Sequence, residues 1–87
     1  MNALDNQLAL GASLAVHGRT LELTLINPSQ GSLDVMDVIG HSRMQLANGT
    51  LTAGVHQYAL AGLRQGIYLV RYLSGDRYVS AKIVIAK

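Results

Sequence analysis

The chain has no cysteine, no tryptophan, no phenylalanine and one proline in 87 residues. Without cysteine there is no disulfide framework, no thiolate nucleophile and no cysteine-bound zinc, while the compartment is left undecided. Without tryptophan or phenylalanine, only Tyr58, Tyr68, Tyr72 and Tyr78 could stack on a sugar ring or a base. Nowhere do apolar residues run for the ~20 positions that a membrane-spanning helix needs, and Met1 is not followed by the basic and apolar regions of a secretory signal. An exported protein of this kind would carry that signal upstream, which makes Met1 readable as the start of a fragment. Charge is scarce as well. Charged residues make up 14% of the chain and the net charge is +2. This is far short of a nucleic-acid footprint, and no zinc-finger or ribonucleoprotein motif is present, so nucleic acid is not an expected partner.

Apolar residues, in contrast, make up 49% of the chain. That is enough to offset the entropy of ordering it, and the length suits one core. The dominant period is two: Leu21, Leu23 and Leu25 alternate with Thr20, Glu22 and Thr24, and short apolar runs are cut by Gly, Asn or Asp at about eight to twelve residues. Segment 1–12 reads as a linker remnant or edge strand, and 13–87 as one domain. Within it, 27–31 reads as a turn with a positive-φ glycine, and 42–46 as a short strand. Asn48-Gly49 reads as a hairpin turn running into a loop, and 55–60 as a strand. The clearest element is a hairpin: Gly66–Ser74, a turn at Gly75-Asp76, then Arg77–Ile85. With only short turns between strands there is no room for crossover helices. The predicted fold is therefore an all-β, immunoglobulin-like antiparallel sandwich of about seven strands.

The candidate chemical groups do not assemble into a catalyst. His17, His41 and His56 lie far apart in sequence with none of the close spacing of metal ligands, so they read as surface or turn residues. Asp34 and Asp37 differ in parity on one strand and project to opposite faces, which disfavours a carboxylate pair for glycoside hydrolysis. No serine sits in a nucleophile elbow and no glycine run cradles a phosphate. Asn48-Gly49-Thr50 fits a glycosylation sequon, a weak signal. The expectation is a protein that is not an enzyme and needs no cofactor.

Charge is unevenly placed, −2 over residues 1–63 and +4 over 64–87, so an anionic partner would be drawn to the C-terminal third. Tyr68 stands where a tyrosine corner belongs, its hydroxyl reaching upstream backbone. If Tyr68, Val70 and Tyr72 face inward, then Ile67, Leu69, Arg71 and Leu73 share the other face. Three apolar residues around one arginine mean either a second buried contact or a partner-binding patch. Lys82 and Lys87 flank the terminal strand, where they protect a sheet edge or mark it for recognition.

The segment Leu60-Ala61-Gly62-Leu63-Arg64-Gln65-Gly66-Ile67-Tyr68-Leu69-Val70-Arg71 resembles the centre of the C-terminal sorting domains of the type IX secretion system, in which Gly-Leu-x-x-Gly-(Ile/Val)-Tyr leads into a basic strand. Val35-Met36-Asp37-Val38-Ile39-Gly40-His41 looks like that family's V-x-D-x-x-G-(R/H) strand and turn. Lys82-Ile83-Val84-Ile85-Ala86-Lys87 looks like its K-(I/V)-V-x-x-K ending. Val16-His17-Gly18-Arg19-Thr20-Leu21 suits the basic subtype that ends secreted polysaccharide-degrading enzymes, although His17-Gly18-Arg19 stands where the family often has Tyr-Pro-Asn-Pro. Immunoglobulin-like modules unrelated to export share the central block, and its place near the chain's end favours sorting.

The resemblance implies a non-catalytic signal domain that directs an upstream secreted enzyme across the outer membrane of a Gram-negative bacterium to the cell surface. The implied partners are the outer-membrane secretion machinery and the upstream catalytic domain, with Ile67, Leu69, Arg71, Leu73, Lys82 and Lys87 as candidate recognition residues. Dimerisation through edge strands stays open. The alternatives are a carbohydrate-binding module, which would use Tyr58 or Tyr78, and a structural spacer packed on a neighbouring domain through Ile67, Leu69 and Leu73.

Overall fold

A computed structural model describes residues 11–86. The expected linker or edge strand over 1–12 therefore falls almost wholly outside the described residues, as does Lys87. Among the described residues seven strands form: β1 (Ala12–His17), β2 (Thr20–Leu25), β3 (Ser29–Asp37), β4 (Ser42–Leu51), β5 (Gly54–Ala59), β6 (Gly66–Ser74) and β7 (Arg77–Ile85). All pairings are antiparallel. They build a three-stranded sheet A in the order β1-β2-β5 and a four-stranded sheet B in the order β4-β3-β6-β7. This is an immunoglobulin-like β-sandwich in which β4 lies beside β3, in contrast to the seven-stranded constant-type arrangement, where the fourth strand joins the other sheet.

The period-two pattern fixes which side chains meet between the sheets. Leu21, Leu23 and Leu25 from sheet A face Leu33, Val35, Val70, Tyr72, Val79, Ile83 and Ile85 from sheet B, all buried, with Leu60 sealing one end. Each such aliphatic side chain contributes about 1.5–3 kcal/mol by leaving water. A small polar chain runs along one side of this core. The Tyr72 hydroxyl donates to Ser29 Oγ at 2.8 Å, Ser29 and Ser74 hydroxyls meet at 3.1 Å, and Ser74 donates to the Gln30 carbonyl at 2.7 Å.

The terminal hairpin has the bounds its sequence predicts, with Gly75 at φ 63° and no positive φ at Asp76. A positive φ at the first central residue alone is the type II′ pattern, whose twist matches paired strands. Elsewhere tertiary pairing overrides local turn signals. Asn48 and Gly49 are not a hairpin turn: they pair with Ser32 and Gly31 inside a ten-residue β4. That strand accommodates the extra length through register shifts at Leu33/Asp34 and Val35/Met36. The 27–31 turn is likewise shorter than its sequence suggests. Gly31 lies in β3 without a positive φ, and it is needed there because a Cβ would sit 2.9 Å from the Tyr72 ring and closer still to the Leu73 carbonyl.

Candidate functional site

Sheet B turns a largely apolar face to solvent. Across β3, β6 and β7 its outer side chains stand in rows: Ile67 beside Val84, Met36 beside Leu69 beside Lys82, Asp34 beside Arg71 beside Ser80, and Ser32 beside Leu73 beside Tyr78. Ile67, Leu69, Tyr78 and Val84 are 46%, 37%, 45% and 64% exposed. The outer face of sheet A differs in kind. Ser13, Thr24, His17, Glu22 and Gln57 populate it, Gln57 donating to Glu22 at 2.8 Å with His17 3.7 Å from the same carboxylate, and Val55 is the exposed large apolar residue of its strands. Soluble sandwiches commonly expose polar rows, and the Ile67, Leu69 and Val84 end of sheet B departs from that pattern.

Of the two sequence readings of Ile67, Leu69, Arg71 and Leu73, the buried second contact finds no counterpart among the described residues. None of the described strands covers that face, because both sheets turn their other faces to the shared core. Those four residues and Lys82 do share one face; Arg71 and Leu73 are half-buried by their neighbours and Lys82 is exposed. Arg71 Nε is buried without an acceptor. Asp34, directly opposite on β3, accepts instead from Gln45 Nε2 at 3.2 Å.

Two loops frame this face at one end. The Asp37 carboxylate organises the β3–β4 turn. Its Oδ1 accepts from the amides of Ile39 and His41 at 3.1 and 2.9 Å, and its Oδ2 from Arg43 Nε at 3.0 Å, with Arg43 Nη2 at 2.9 Å. Gly40, at φ 91°, donates to the Asp37 carbonyl and the Asp37 amide donates to the His41 carbonyl. This is a three-residue hairpin loop with glycine in the left-handed position. Shielding from water pushes the Asp37 pKa up, but the two amides and Arg43 outweigh it and hold the carboxyl below the usual range. The V-x-D-x-x-G-H pattern thus has a local structural cause.

The β5–β6 loop has one too. Tyr68 donates to the Arg64 carbonyl at 2.8 Å, the tyrosine corner its position predicts, and Leu63 plugs the core beneath it. Arg19 completes this end, and sequence reasoning missed its role. Its guanidinium donates to the carbonyls of Leu60 at 3.3 Å, Leu63 at 3.2 Å and Ala86 at 3.5 Å, so one side chain ties the β1–β2 turn to the β5–β6 loop and the end of β7. No local signal could reveal it, since the acceptors lie 41 to 67 residues away.

Tyr72 is buried, and Tyr58 packs partly into the core, where burial and then the Tyr72 phenol push its pKa up. Tyr78, in contrast, stands out into solvent. His56 is tied to the Thr52 carbonyl at 2.7 Å, His41 lies by Asp37, and His17 is on the opposite sheet. Among the described residues no three His, Asp or Glu come together as a metal site, and no helix is long and apolar enough to cross a membrane.

The fold and this face together define an immunoglobulin-like β-sandwich domain in which part of the outer face of sheet B is apolar and exposed. No known family model matches the chain, and no curated protein matches it at a significant level.

Proposed function

We propose that this domain is a non-catalytic sorting domain of the type IX kind, which carries an upstream secreted enzyme across the outer membrane to the cell surface by docking on the secretion machinery. The observation that supports it is the apolar outer face of sheet B, studded with Arg71 and Lys82, on strands β6 and β7. The sequence blocks that resemble sorting domains supply that face: Ile67, Leu69 and Arg71 on β6, Lys82 and Val84 on β7, and the Asp37 turn at its end. Among the described residues β7 is also the edge strand of sheet B, with β6 its one strand partner, a position from which strand addition proceeds.

A reporter carrying a signal peptide and fused to residues 13–87, expressed in a bacterium that has this export system, should reach the cell surface. Replacing Ile67 and Leu69 by serine should hold the intact fusion in the periplasm. Periplasmic retention of the unmutated, folded fusion sinks the reading.

Tyr78, exposed beside Leu73, keeps a carbohydrate-binding reading in play. One tyrosine is a poor stacking platform, and Tyr68 and Tyr72 are engaged in structural bonds. Saturable binding to cellulose or xylan that disappears in Tyr78→Ala would favour it over sorting.

A further inference from the structure

We propose that the end of sheet B's outer face beside the β3–β4 turn is a peptide groove, and that its occupant is an extended partner segment in which apolar side chains and carboxylates share the one face turned to the sheet. This rests on the reading that sheet B docks a protein partner, and it names that partner's chemistry. The groove is a hollow of about 260 Å³ whose lining includes Met36, Val38, Ile67, Leu69 and Lys82, with Asp37 and Tyr68 at its rim toward the turn.

The turn beside the hollow is already shaped for binding. Val38 and Ile39 are 75% and 71% exposed at the centre of the β3–β4 turn, a place where polar residues are usual. They are not loosely held, because the Asp37 carboxylate and carbonyl bind the amides of Ile39, Gly40 and His41. A turn held in this way presents Val38 with little entropy left to lose.

The repeat of the strands selects an extended occupant. Ile67 and Leu69 project two residues apart from β6, with Val84 and Lys82 opposite them on β7. A segment lying extended along these strands has the same repeat, and its alternate side chains fall between the rows. A bilayer would press on protruding tips and would not follow a hollow set between strands, which favours a peptide over a membrane surface.

Charge selects an acidic one. Among the described residues Arg64, Arg71 and Lys82 form no ion pair, whereas the nearby carboxylates are engaged, Asp34 by Gln45 and Asp37 by Arg43. Arg64 and Arg43 line an adjoining hollow of about 540 Å³ that shares Asp37, Ile67 and Tyr68 with the first, the Asp37 carboxylate there being paired with Arg43. Asp34 keeps its charge, since its donor Gln45 is neutral, but Arg64, Arg71 and Lys82 outnumber it, so the net charge around the apolar floor is positive, and Arg71 Nε has no acceptor of its own. Carboxylates spaced along the occupant would meet Lys82, Arg71 and Arg64.

The test uses a fluorescein-labelled, end-blocked peptide as long as β6 that carries Leu or Val and Glu in turn at every second position, so that both lie on one face, with Ser between them, and the same peptide with Gln for Glu. Fluorescence anisotropy should show saturable binding of the Glu peptide, weakened by salt and about tenfold weaker for the Gln peptide, the loss of roughly one good charge contact. Amide chemical-shift changes should centre on Val38, Ile67, Leu69 and Lys82. Lys82→Glu, which removes no core contact, should weaken the Glu peptide while leaving the melting temperature unchanged. Equal binding of the two peptides, or shift changes on sheet A, would overturn the proposal. So would sedimentation with phosphatidylglycerol–phosphatidylcholine vesicles in the absence of peptide binding. If the peptide binds but the reporter fusion is not exported, sorting fails and the groove stands. Export without peptide binding refutes the groove and leaves sorting intact.

Discussion

Gly31→Ala tests whether β3 and β6 are packed as closely as their pairing requires. An alanine Cβ would sit 2.9 Å from both the ring and the hydroxyl oxygen of Tyr72, with the Leu73 carbonyl nearer still. The Tyr72 ring is fully buried and the carbonyl is backbone, so neither can swing aside; relief requires β3 to move away from β6 in the middle of sheet B. Overpacking of this kind costs about 1–3 kcal/mol, while the loss of glycine's freedom in the unfolded chain returns about 0.4–1 kcal/mol. The net destabilisation is about 1–2 kcal/mol. In a domain of this size each kcal/mol lowers Tm by about 4–8 °C, a shift that thermal unfolding followed by circular dichroism reads directly. Gly31→Asn should be worse than Gly31→Ala, because added bulk meets the same wall. At a positive-φ turn glycine the order would reverse, since asparagine tolerates the left-handed region better than alanine. An unchanged Tm for Gly31→Ala, or an asparagine variant more stable than the alanine one, would refute the close packing of these strands.

Three further perturbations read other parts of the structure. Asp37 has a lowered pKa, so its contribution is fully present above the unfolded value near 3.9 and is lost as pH falls through the folded value; Asp37→Asn should flatten the acid limb of a Tm-against-pH curve and leave a smaller loss at neutral pH. Tyr72→Phe removes the donor to Ser29 from a buried ring and should cost about 0.5–1.5 kcal/mol in urea unfolding, with no change if the serine hydroxyls reorganise fully. Arg19→Ala should speed amide hydrogen exchange at the Ile85 end of β7 more than at its Arg77 end, because only the former is tied to the clamp through Ala86; uniform acceleration along the strand would contradict this.

What the sequence discloses depends on how far the deciding contact lies. The β6–β7 hairpin was legible because its strands alternate cleanly and meet at Gly75-Asp76, so register and turn agree. Asn48-Gly49 carries an equally good local signal, yet pairing with Gly31 and Ser32 on β3 absorbs it into a strand. The parity that places Ile67, Leu69, Arg71 and Leu73 on one face was also legible. Whether anything covers that face was not, since it depends on the order of strands in two sheets. The Arg19 clamp was the least accessible, with every acceptor remote in sequence.

Strand β7 brings two demands together that first look incompatible, since a strand that closes the core would have no backbone to offer a partner. Its side chains resolve this by parity. Val79, Ile83 and Ile85 point into the core, while Tyr78, Lys82 and Val84 lie on the outer face. Among the described residues its backbone pairs with β6 alone, and β1 comes near it without joining its ladder. A segment added along that edge would continue sheet B without disturbing the core. Its own outward side chains would then extend the rows of Val84 and Lys82, enlarging the apolar face that the peptide groove occupies. Edge pairing and groove binding are therefore two parts of one surface, joined at Lys82. That side chain guards the edge against promiscuous pairing and supplies the charge that selects an acidic segment, so Lys82→Glu should impair acidic peptides while a neutral Lys82→Gln loosens selectivity between the Glu and Gln peptides.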